Sequence, residues 1–338
     1  MKFSKTIIPA DNVCSLTWYA DTLIDWVGGG TAFHPDGRQS RSIVHWAFPF
    51  DSAQATEDGR FAVIYQRLGT KALLLREGKL LRELNRSFYH AHVYEYPICI
   101  WRHADGRTLI AHCPEEYCRL EIDDAETGEH LTSGMARKPA DFFHSRLAVN
   151  SDGTRLLSAG WIWHPLDCVV TFDIAEALRN SSHLDKGSWA PVSHDVSLTE
   201  ESSACWQTNN RMILSASKEE DESREAKPIS QDHLYLHPLG IGVYDVVSRK
   251  YVQSVVIGEL SGTMMPLGTS HVVCFFDHPK IISLDSGETI MRWKELNTGN
   301  QKSSICMNDT FIPPMAIDAK NQRFAVFGPG GITVIHIE

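Results

Sequence analysis

Along this chain a turn signal precedes a short, nearly continuous apolar run again and again. The sharpest copies are EDGRFAVIY (57–65), ADGRTLIAH (104–112) and SDGTRLLSA (151–159), and Asp58, Asp105 and Asp152 follow one another at intervals of 47 residues. Asp-Gly supplies the positive φ that a tight turn between antiparallel strands requires. The slot recurs in weaker form at YADTLIDWV (19–27), TNNRMILSA (208–216), LGTSHVVCFF (267–276) and AKNQRFAVF (319–327). A second apolar run follows each: KALLLR (71–76), EYCRLEID (116–123), CVVTFDI (168–174), IGVYDV (241–246), KIISLD (280–285) and GITVIHI (331–337). Four of these reach a hydrophobic-Asp pair, at Asp123, Asp173, Asp245 and Asp285. Next comes a segment that alternates or carries charge, as in VVSRKYVQSV and DSGETIMRW. Continuous apolar runs belong to strands covered on both faces, and charged ones to edges that meet water. The pattern therefore predicts four-stranded sheets stacked face to face. Only IAEALRNSSHL (174–184) reads as helix, and it decorates a connection.

The repeat predicts an all-β fold in one domain over residues 1–338, with units at roughly 13–46, 50–84, 96–133, 143–192, 202–257, 262–295 and 313–338. The seventh unit is one strand short. Residues 2–8, KFSKTII, have strand character and precede a complete first unit. Pairing the two ends completes the last sheet and removes two open edges. The Asp-Gly hairpins and the hydrophobic-Asp ends, such as Phe172-Asp173 and Tyr244-Asp245, resemble those of WD40-like seven-bladed β-propellers and their surface-layer-type and quinoprotein-like relatives. The resemblance spans essentially the whole chain. It departs in having no Trp-Asp among those four ends and no Gly-His dipeptide opening a unit. What it implies is the architecture, with a rigid disc that presents loops to partners.

Composition narrows the function. The 338 residues carry 32 Lys+Arg against 42 Asp+Glu, a net charge of −10, with 43% hydrophobic residues. An acidic chain without a basic run has no electrostatic reason to seek nucleic acid or an anionic membrane. The opening MKFSKTIIPADN lacks a signal-peptide core, and no apolar run is long enough to span a bilayer. Most of the eight cysteines sit in apolar runs, as expected of buried, reduced thiols in a cytoplasmic protein. Cys113 and Cys118 in HCPEEYCRL have no second pair, so no metal centre is expected, and no cofactor. VGGGTAF (27–33) lacks phosphate-loop spacing.

Two places remain for chemistry. His-Pro pairs recur at His34, His164, His237 and His278. The last three are expected in the turn between a unit's second and third strands, all on one face, with the proline opening the third strand. His164, His237 and His278 are therefore candidates for a ligand or partner surface. Trp161 and Trp163, on one side of their strand by alternation, are candidates as wedge filler or exposed anchor. The other place is the axial channel. There Asp51, Glu95, His144 and Glu201 stand near the starts of innermost strands, able to meet a cation or small polar ligand. Propeller lactonases and related enzymes use such a central site, so the resemblance permits one here. The leading expectation is a monomeric protein-binding scaffold with a protein partner; the alternative is a hydrolase or lyase with a cation or small polar ligand in the channel. The charged insertion SKEEDESREAKPISQD (217–232) is expected to be a surface loop, and segments 134–142 and 296–312 to be long connections covering one face.

Overall fold

A computed structural model describes residues 1–133, 136–191, 199–217, 234–306 and 310–338. All but Ser217 of the charged insertion lies outside the described residues. The described strands form seven antiparallel sheets, six of them meanders of consecutive strands. Blade one holds Thr17–Tyr19, Thr22–Asp25, Thr31–Phe33 and Gln39–Ser40, and blade two Ser52–Ala55, Phe61–Tyr65, Lys71–Arg76 and Lys79–Asn85. Blade three has Ile98–Arg102, Thr108–His112 and Glu121–Asp124, and blade four Leu147–Val149, Arg155–Ile162, Leu166–Asp173 and Ser188–Ala190. Blade five runs Ser202–Trp206, Arg211–Ala216, Gly240–Asp245 and Lys250–Val256, and blade six Met264–Leu267, His271–Cys274, Lys280–Ser283 and Thr289–Arg292. Blade seven comprises Met315–Asp318, Arg323–Gly328 and Gly331–Ile337, completed on its outside by Phe3–Ile8.

The ring closes as the sequence implies. Phe3 faces Ile337 and Ile8 faces Ile332 in an unbroken antiparallel register. Lys2 and Glu338 exchange both backbone hydrogen bonds, at 2.8 and 2.9 Å, and extend the ladder by one pair. At the Asp-Gly turns, Gly59, Gly106 and Gly153 have φ of 62°, 91° and 71°. The preceding aspartates Asp58, Asp105 and Asp152 each accept the backbone N–H two residues on, at 2.9–3.1 Å.

The core lies between blades. Leu109, Ala111 and Ile122 of blade three pack against Leu156, Val170 and Phe172 of blade four, and all are fully or almost fully buried. Burial of aliphatic and aromatic side chains at ~25 cal/mol per Å² is what holds flat sheets together without a central plug. Blade three departs from the four-strand pattern. Its fourth position is a single bridge, Asp123 to His130, and a hydrogen bond from Leu131 N–H to Ile122 O at 2.9 Å. Asp123 compensates, with one carboxylate oxygen 2.8 Å from His112 Nε2 and the other 2.9 Å from His130 Nδ1. The short helix Ile174–Arg179 and the 3₁₀ turn Ser181–Asp185 join the third and fourth strands of blade four, with Asp173 as N-cap.

Candidate functional site

Two features share the face that carries the inter-blade connections. The first is a strap. After blade six, Asn300 N–H donates to Phe311 O at 3.1 Å, and Phe311 N–H donates back to Asn300 Oδ1 at 2.7 Å. The described residues that follow Asn300 reach away from blade six. Lys302 O accepts from Ser203 Oγ of blade five at 3.4 Å. Ser303 and Ser304 Oγ donate to Asp167 of blade four at 3.2 and 3.3 Å. Ile305 bridges Tyr94, and Cys306 N–H donates to Val93 O at 2.8 Å, just ahead of blade three. Blades three and four lie opposite the six–seven junction in a seven-membered ring, so this route runs over the axis. The expectation that 296–312 covers one face holds for its described residues.

Charged groups gather under the strap. Asp167 is fully buried and also accepts Ser202 N–H at 2.7 Å. Burial pushes its carboxyl up to about 7, against the opposing pull of Arg146 and of its hydrogen bonds. Arg146 donates to Ser203 Oγ at 3.0 Å and Ser202 O at 2.6 Å, while its Nε is buried with no partner. Glu95 accepts from the strap's Gln301 side chain. Asp51 accepts Arg67 N–H at 2.8 Å. A cavity of about 180 Å³ opens here, lined by Glu95, Arg146, Leu147, Ser203, Ala204, Thr263, Met264 and Gln301.

The four axial candidates are not brought together. Glu201 turns to Lys302 at 3.4 Å, and Asp51 and Glu95 hold the separate partners just given. His144, expected at the channel, is instead buried at the junction of blades three and four, its Nδ1 3.2 Å from Ser158 Oγ and its ring 4.6 Å from Phe142. Phe143 pairs with Trp161, and this bridge turns the next residue inward. Burial pulls the imidazole down to about 3, so it is neutral. Among the described residues, no three His, Cys, Asp or Glu side chains are grouped to hold a metal ion. Asp167 and Gln301 carry no signal of a site in the sequence, and Arg146 reads there only as a neighbour able to pair with the axial acidic groups. Asp167 shows there as a lone charge inside an apolar run.

The second feature is aromatic. Trp161 is buried and stacks on Phe143 at 3.9 Å, which stacks on Tyr117 at 4.1 Å. Tyr89 lies over Tyr117 at 5.0 Å, and Trp163 meets Phe143 edge-on at 5.4 Å and His90 at 4.9 Å. Tyr89 and Trp163 remain 41% and 39% exposed, and the neighbouring Phe88 85%. The loop bearing Phe88 and Tyr89 is pinned by buried Arg86, which donates to the carbonyls of Gly69, Ala91, Tyr94 and Glu95 at 2.7–3.2 Å and packs over Tyr94. Trp161 thus lies inside and Trp163 at the surface.

The three His-Pro turns do fall between second and third strands. His164 is exposed beside Trp163, His237 lies 4.3 Å from the Tyr235 ring, and His278 Nε2 is 3.4 Å from Arg292. His164 differs from the extended backbone expected before proline, with φ of 104°. Ile162 pairs with Leu166, leaving three residues to reverse the chain, and so short a loop needs a positive φ.

The molecule is a seven-bladed β-propeller, similar at the level of fold to WD40-like propellers. No protein-family model and no curated protein matches the chain. Among solved structures, it resembles a chain of Kuenenia stuttgartiensis hydrazine synthase with 11% identity and a TM-score of 0.58, over 98% of this chain and 97% of that one. It likewise resembles a chain of the mitotic checkpoint complex with 11% identity and a TM-score of 0.59, over 99% and 91%.

Proposed function

We propose that this propeller is a protein-binding module whose contact surface is the aromatic face at Phe88, Tyr89, His90 and Trp163. The observation that carries this reading is the exposure of Tyr89 and Trp163 on top of a stack formed by buried Trp161 and Phe143 and half-buried Tyr117. Large aromatics held rigid from beneath lose little conformational freedom when a partner covers them, and such residues dominate interface energetics. His164, held at positive φ in the adjoining turn, is strained backbone of the kind that clusters at functional sites. The likeness to a chain of a multi-protein assembly is compatible with the same reading.

The test compares capture from a native extract by the wild-type chain and by the Tyr89→Ala/Trp163→Ala double variant. A partner retained by the first and lost by the second, with melting temperatures matched, supports the proposal. Identical capture by both overturns it.

A further inference from the structure

The axial cavity presents one guanidinium and one carboxylate that are not spent on each other. Among the described residues Arg146 has no carboxylate in ion-pairing distance, and its Nε is orphaned in a buried position. Glu95 is engaged through one oxygen by Gln301, and its other oxygen has no partner among the described residues. Between them lies about 180 Å³ of space. A cavity of roughly 150 Å³ accommodates a benzene-sized guest. Arg146 and Glu95 are the two charged side chains of the cavity wall, and a guanidinium and a carboxylate each recognise an opposite charge through charge-assisted hydrogen bonds.

We propose that this cavity binds a small zwitterion, an α-amino acid or a molecule of similar form, with its carboxylate on Arg146 and its ammonium on Glu95. Ser203, Thr263 and Gln301 supply further polar contacts around the two charged ends, and Leu147, Ala204 and Met264 make an apolar wall suited to a short aliphatic side chain. The pairing of charges decides the ligand class. A simple carboxylate satisfies Arg146 but is repelled by Glu95, and a simple amine meets the reverse penalty. Only a ligand with both charges gains from both groups, and like-charge juxtaposition rejects the others. This site is independent of the aromatic face, and each stands if the other fails.

The experiment is calorimetric titration and thermal melting of the full chain with glycine, alanine, serine and valine. Propionate and ethylamine serve as single-charge analogues of alanine. The expected result is saturable binding of at least one amino acid, at least ~10-fold tighter than either analogue, with a dose-dependent rise in melting temperature. Glu95→Gln and the cavity-filling Ala204→Leu are each expected to weaken that binding at least ~10-fold, equivalent to ~1.4 kcal/mol. No binding by any of the four amino acids overturns the proposal. Propionate bound as tightly as alanine also overturns it, by making this an anion site. The analogue series on the unmodified chain decides the matter even where a variant does not fold.

Discussion

Asp167 occupies the second position of its strand, inside a run that is otherwise apolar, with serine hydroxyls from the strap and one backbone N–H as its donors. Its proton is held to about pH 7 in the folded chain and is released near 3.8 in the unfolded one. Between those values the folded state binds the more protons, so stability falls as pH rises and levels off above the folded value. Asp167→Asn keeps the shape and removes the titration. Its melting temperature, compared with wild type at pH 5 and pH 8, is expected to improve in relative terms at the higher pH. A wild-type curve that is flat over this interval, or parallel to the variant's, contradicts the assignment. The thiols give a second expectation. Cys14 is exposed, although partial burial and Asp25 raise its thiol, whereas burial lifts Cys205 and Cys306 to about 12 and Cys113 well above its ordinary range. Native protein is therefore expected to show one readily labelled thiol and to release the rest on denaturation. Sequence alone marked the cysteines as buried because most of them sit in apolar runs. It misplaced His144, because alternation along a strand does not reveal which way a residue in the approach to that strand will turn.

At the level of elements, most strand positions were legible, since Asp-Gly turns and apolar runs are local signals. The four hydrophobic-Asp ends looked alike and yet serve different purposes. Asp123 clamps two histidines, Asp173 caps a helix, Asp245 closes a turn by accepting Val247 and Ser248 N–H, and Asp285 accepts from Gln253. The strap's route was not legible, because its partners lie far away along the chain, 99 residues for Ser203 and 206 for Glu95. The connection before blade four gives a similar case. Arg137, its side chain 1% exposed, reaches Asp185 at 2.6 Å, Glu121 at 3.5 Å and Leu120 O at 3.2 Å. It ties blade three to the 3₁₀ turn of blade four. Arg137→Met leaves buried Asp185 without its cation, while Glu121 keeps Arg119 at 2.6 Å, and the expected cost is about 3 kcal/mol in urea unfolding. The exposed Lys320–Glu57 pair, at 3.2 Å, is the contrast, and Lys320→Met is expected to leave the midpoint essentially unmoved. Equal effects of the two substitutions would show that burial of the Arg137 network does not matter to the junction.

The whole molecule depends on its closing sheet. Every other blade is built from consecutive strands, but blade seven pairs Phe3–Ile8 with Gly331–Ile337. A ring left open there exposes the outer edge of Gly331–Ile337 and loosens the contact between blades seven and one. The ladder itself supplies a test finer than truncation. Lys2 and Glu338 are a hydrogen-bonded pair, so by antiparallel alternation Ser4, Thr6 and Ile8 also direct their N–H groups at the partner strand. Phe3, Lys5 and Ile7 direct theirs outward, where this strand has no further neighbour in the sheet. Proline at an inward position deletes a bond and strands the facing carbonyl of Val334, while proline at an outward position deletes nothing. Thr6→Pro is thus expected to cost about 2 kcal/mol or more and Ile7→Pro markedly less, although Ile7 carries the larger side chain. Both substitutions stiffen the chain equally, so the difference isolates the ladder. Equal losses would mean that side-chain packing of the first strand closes the ring, and a negligible loss for Thr6→Pro would mean that the ring does not need this strand to stay shut.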